Sequence, residues 1–142
     1  MIQQKGINMS DNFVSSLRSN CNILCGETLS NAVVRLYRLN YGNAHLASLP
    51  EDYWQTIAQI NGIYYDGAEV YGLNSPLKVF KDLITQNQNL HTSHVVVLGE
   101  NETDWLVYDA EQQRYQLVDK DEESVLYSAE TLEKAINYIL RL

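Results

Sequence analysis

The sequence predicts an α+β domain: an antiparallel β-sheet meander with helices packed mainly on one face. Three observations predict it. Apolar residues recur at three- and four-residue spacing in the front half and again at the carboxyl end. Short β-type runs crowd the stretch between residues 94 and 127. The links between those runs are too short for parallel crossovers, which need about a dozen residues, so the strands must pair antiparallel.

The elements follow in order. Ser10 or Asp11 can cap a short helix that turns Phe13, Val14 and Leu17 to one side. Residues 18–27 are polar, contain Gly26 and read as a loop. Thr28 or Ser30 can cap a second helix with the stripe Leu29, Ala32, Val33, Leu36 and Leu39 or Asn40, and Gly42 suits its end. A third helix opens on Leu49-Pro50-Glu51-Asp52, with proline in the first turn and two carboxylates at the positive helix end. Its buried stripe is Tyr53, Trp54, Ile57 and Ile60, and Asn61-Gly62 stops it.

Ile63-Tyr64-Tyr65, the turn dipeptide Asp66-Gly67, and the run Ala68 to Leu73 read as a hairpin. Ser75-Pro76 then opens a helical turn carrying Leu77, Phe80, Leu83 and Ile84, and residues 85–92 read as a polar loop. The run from His94 to Gly99 is apolar on both faces, as a central strand must be. Strands at 105–108, 115–118 and 125–127 follow, separated by polar turns. The last helix, capped by Ser128, has the stripe Leu132, Ala135, Ile136, Ile139 and Leu140.

Composition sets the class. The 142 residues fit one domain spanning 1–142, with 45% hydrophobic and 20% charged residues, enough apolar side chain to offset ordering entropy. Residues 1–27 read as an N-terminal extension helix or arm. No stretch approaches the ~20 apolar residues of a membrane span. No apolar signal core follows Lys5, so a cytoplasmic protein is expected. Cys21 and Cys25 then read as free thiols in a reducing compartment.

The net charge is −8, and it is unevenly placed. Residues 1–49 hold four bases and two acids. Residues 100–133 hold eleven acids against Arg114 and Lys120. Such a surface repels nucleic acid and anionic membranes and attracts cationic partners. A solvated face that only keeps the chain soluble has the same composition. The ten tyrosines add a second feature: Tyr64, Tyr65, Tyr71, Tyr108, Tyr115 and Tyr127 fall on the strands, about half of them outward by alternation.

Little points to chemistry. His91 and His94 have a helical metal spacing but sit at a loop–strand junction, with no flanking carboxylate or cysteine, so no metal site is expected. The serines sit at helix starts and no Gly-x-Ser-x-Gly elbow occurs. The seven glycines form no phosphate-binding loop, and no cofactor is expected. Asp119, Asp121 and Glu123 alternate but lack the spacing of a calcium loop.

The residues Leu49-Pro50-Glu51-Asp52-Tyr53, Ile60-Asn61-Gly62 and Glu69-Val70-Tyr71-Gly72-Leu73 together resemble the signature region of the SUKH superfamily. A Val-Val-Leu-Gly strand leading to a tryptophan-bearing strand follows in the same order. The resemblance implies helices packed on an antiparallel sheet. It also implies a non-catalytic, cytosolic immunity protein that binds and neutralises a cognate bacterial toxin, often a nuclease or deaminase. Fungal relatives regulate cell-wall assembly, so a regulatory or adaptor domain on the same fold is the alternative. A small hydrolase or metal-binding domain is a further one. Leu49, Pro50, Tyr53, Asn61, Gly62, Tyr71 and Gly72 match the motif and read as scaffold. Charge density nominates Glu100, Glu102, Asp104, Asp109, Asp121, Glu122 and Glu123 as partner contacts, with Tyr108 and Tyr115 as anchors. Oligomeric state is left open.

Overall fold

The computed structural model describes residues 9–40, 44–77, 79–88 and 94–142. Its order is α1 (Met9–Ser19), β1 (Leu24–Cys25), α2 (Asn31–Asn40), α3 (Ala44–Ala47), α4 (Glu51–Gln59), β2 (Ile63–Tyr65), β3 (Ala68–Val70), α5 (Leu83–Asn87), β4 (Val95–Glu100), β5 (Asp104–Asp109), β6 (Arg114–Asp119), β7 (Val125–Ala129) and α6 (Leu132–Leu140). The seven strands form one sheet in chain order, antiparallel throughout. The α+β meander expected from the sequence is the fold.

Strand alternation divides the sheet. Leu106, Tyr108, Tyr115, Leu117 and Ala129 belong to the main core, and α6 lies across β3, β5, β6 and β7. Ala135, Ile136 and Ile139 of α6 are 0% exposed, so the apolar stripe seals against the strands as its spacing required. Helix α4 lies on the same side, with Tyr53, Trp54 and Ile57 buried. Asp52 at its start accepts the Tyr115 hydroxyl at 2.6 Å and the Leu132 N–H at 3.0 Å. One carboxylate therefore joins α4, β6 and the start of α6.

Asn61 and Gly62 hold the chain after α4 in place. Asn61 is 0% exposed. Its side chain bonds both backbone groups of Leu73, at 2.6 and 3.0 Å, and reaches Glu27 at 3.1 Å. Gly62 has φ +105° and lies against the Phe80 ring, where a Cβ would collide. Asp66 and Gly67 both take positive φ, the primed turn that suits a tight hairpin.

Several expectations need correction. Residues 18–27 are not all loop, because Leu24–Cys25 pairs with β2 as the sheet's first strand. Of the helix and the arm expected at the N-terminus, the described part takes the helix, α1, and it packs on the domain. Phe13, Val14 and Leu17 are buried, and Arg18 donates to the carbonyls of Gly26 at 2.8 Å and Gln59 at 2.6 Å. The expected stripe is divided: Leu29 packs on the core and Val33 is half-buried, but Leu36 is 54% and Leu39 72% exposed, and the buried residue of α2 is Val34, on the side where α2 meets α4. Ser30 does cap α2, accepting from Val33 N at 3.2 Å. Gly42 lies outside the described residues.

Among the described residues no helical turn opens at Ser75-Pro76. Gly72 is bridged to Asp82, and Asp82 caps the later helix α5 by accepting from Thr85 N at 3.0 Å. Asn87 then bonds both backbone groups of Val97, at 2.8 Å each, taking the place of a strand partner beside β4. Ser128 does not cap α6 but lies in β7; Thr131 caps it, accepting from Lys134 N at 3.4 Å.

Candidate protein-binding surface

Alternate turns of an antiparallel meander fall at the same end of the sheet. The β2–β3, β4–β5 and β6–β7 turns therefore share one end, and the β5–β6 turn lies at the other. The shared end carries Asp66, Glu102, Asp121, Glu122 and Glu123, all exposed. Two of the turns are tied directly, Lys120 N donating to Thr103 O at 2.9 Å. Asn101 fixes the β4–β5 turn by accepting from Thr103 N at 3.0 Å and Asp104 N at 2.8 Å, and it donates to Ile139 O of α6 at 3.2 Å. Asp119 holds the β6–β7 turn by accepting from the N–H groups of Asp121 and Glu122, each at 2.8 Å. The carboxylates thus project from a rigid frame. A hollow of about 420 Å³ lies beside them, lined by Asp66, Glu102, Ile139 and Arg141 among others.

Glu100 is the hub beside this end. It accepts from Lys81 Nζ and Lys120 Nζ, each at 2.8 Å, and from the Tyr71 hydroxyl at 2.7 Å. Burial pushes its carboxyl up, but the hydrogen bonds from Lys120, Lys81 and Tyr71 prevail and bring it to about 2. Glu69 stands across the strand pair from Glu100. Burial and the Glu100 charge raise its carboxyl, against the hydrogen bond from Lys81 N. Lys120 also sits 5.9 Å from the Trp105 ring centroid. Both lysines are therefore committed to Glu100, and the acidic turns are not neutralised by them.

The nominated residues separate accordingly. Glu102, Asp121, Glu122 and Glu123 are exposed and come together. Glu100 is engaged internally. Asp104 and Asp109 are 8% and 7% exposed, and Asp109 accepts from Glu111 N at 2.9 Å and Gln112 N at 3.2 Å in the opposite turn. Tyr108 and Tyr115 are corrected as anchors: they are 6% and 1% exposed, packed edge-to-face under the helices. Tyr115 is held protonated by burial and by its bond to Asp52. Alternation alone could not tell which tyrosines faced the helices. Asp66 was legible only as a turn residue; its place among the acids follows from topology.

At the opposite end His94, Asp109 and Glu111 bring ligand-type atoms within 4.8 Å of one another, with His94 Nε2 3.9 Å from Glu111. His91 and the side chain of His45 lie outside the described residues. The thiols of Cys21 and Cys25 are free, and burial raises that of Cys25, so it carries little thiolate character. No helix among the described residues is long and apolar enough to cross a membrane. No family profile, curated protein or solved structure matches the chain.

Proposed function

We propose that this chain is a non-catalytic immunity protein of the SUKH type, which binds a basic toxin in the cytoplasm and blocks it. The observation that carries this reading is the grouping of Asp66, Glu102, Asp121, Glu122 and Glu123 at one end of the sheet, with Lys81 and Lys120 drawn away to Glu100. A toxin that acts on nucleic acid needs a cationic substrate site, and a fixed array of carboxylates can occupy such a site as phosphates do. The motif residues fit as scaffold, which leaves the turns free to vary with the partner.

The test is co-expression with the toxin encoded beside the gene. The two proteins should co-purify, and the toxin should lose its toxicity. A toxin that neither binds nor is restrained would overturn the reading. A regulatory adaptor on the same fold would instead be encoded away from any toxin gene.

One observation favours a second reading, a metal-binding domain: the His94, Asp109 and Glu111 cluster. Asp109 already serves two backbone N–H groups, which weakens it as a ligand. Stoichiometric zinc in purified protein, lost in His94→Ala, would favour that reading.

A further inference from the structure

We infer that the outer edge of β7 is a docking edge for an extended, basic segment of the partner, which adds to the sheet as an eighth strand. The partner's identity rests on the function proposed above; the edge itself does not. Strand β7 is last in the sheet, and none of its backbone groups bonds to any described residue outside the pairing with β6. Edge strands are ordinarily guarded by lysine, proline or inward charge. Val125–Ala129 has none of these, and Val125 and Leu126 are 53% and 50% exposed. The register shift opposite β6 is confined to the start of the strand, so Tyr127, Ser128 and Ala129 pair regularly and keep an extended template.

Charge selects the occupant. Asp121, Glu122 and Glu123 lie at one end of the strand; Glu130, at the other, is 79% exposed and pairs with Arg114 at 3.5 Å, so the acids left unpaired among the described residues are those of the β6–β7 turn. On the helix side Tyr127 and Tyr138 stack at 4.3 Å, a partly exposed aromatic ledge suited to lysine or arginine. A second copy fits poorly. Antiparallel pairing of β7 with itself would bring Glu123 of one copy near Glu130 of the other, like charge against like. A strand alternating basic and apolar residues meets both features, with backbone bonds supplying affinity and the flanking carboxylates supplying preference.

The probe is a short capped peptide of alternating lysine and valine, compared with the same peptide N-methylated at every amide, so that neither of its edges can donate. Methylation keeps the charge and removes strand pairing. The plain peptide should slow amide exchange in residues 125–129, bind about tenfold more tightly than the methylated one, and lose a similar factor against Leu126→Lys. Equal affinity of the two peptides, or effects confined to residues 121–123, would overturn the edge. Dimerisation that protects the same amides without peptide would overturn the choice of occupant. Failure of the neighbouring toxin to bind counts against the proposed function alone. Undiminished toxin binding by Leu126→Lys, beside a methylation-insensitive peptide, counts against the edge alone.

Discussion

Tyr115 donates its hydroxyl to Asp52 at 2.6 Å across a sequence separation of 63 residues, and the other oxygen of the same carboxylate receives the first N–H of α6. Removing the acid orphans a buried phenol and an N–H at a helix start. Asp52→Ala should therefore cost about 3 kcal/mol in urea unfolding, and Tyr115→Phe about 1 kcal/mol. The double variant should cost clearly less than the sum, because the two share one bond. Additive effects would deny the coupling.

The Glu100–Glu69 pair sets a pH dependence. Glu100 is brought to about 2 when folded, below its ordinary value of 4.5. Its contribution is therefore complete above pH 4.5 and is lost as pH falls toward 2. Glu69 is shifted the other way by burial, so its ionisation opposes folding as pH rises through its folded value. Glu69→Gln keeps an acceptor for Lys81 N and removes that opposition. It should equal or exceed the parent in stability at pH 7, whereas Glu100→Gln should lower stability there and flatten the acid limb. Chemical denaturation between pH 2 and 7 measures both. A Glu69→Gln protein less stable at pH 7 would contradict the account.

The orientation of α2 gives a sharp contrast. Leu39→Glu lies on an exposed face and should change stability by no more than about 0.5 kcal/mol. Val34→Ala removes buried methyl groups and should cost about 2 kcal/mol. Urea midpoints of the two variants decide which face is inward. The reverse order would restore the stripe that spacing alone suggests.

That contrast shows where the sequence is legible. Helix α4 could be read because Pro50, Glu51, Asp52 and the stripe of Tyr53, Trp54, Ile57 and Ile60 all agree. The β2–β3 hairpin could be read because Asp66-Gly67 demands one turn. Helix α2 has apolar residues on more than one side, and only contact with α4 chooses Val34 over Leu36 and Leu39. Leu77, Phe80, Leu83 and Ile84 keep helical spacing, but the Gly72–Asp82 bridge holds the chain open until Asp82 caps α5. The surface was half legible. Charge density found Glu102, Asp121, Glu122 and Glu123, but it also gathered acids that turn out to cap turns or bind lysines. Tyr108 and Tyr115 deceived because a tyrosine can be wholly buried when a carboxylate such as Asp52 receives its hydroxyl.

The acidic end is the centre of the account, and association kinetics test it most directly. The neighbouring toxin should be mixed with the parent protein and with the variant Glu102→Gln, Asp121→Asn, Glu122→Gln, Glu123→Gln over a range of ionic strength. Steering by these carboxylates predicts association about tenfold slower for the variant at low salt, a gap that closes as salt rises. Equal rate constants at every ionic strength, with a parent rate indifferent to salt, would contradict it.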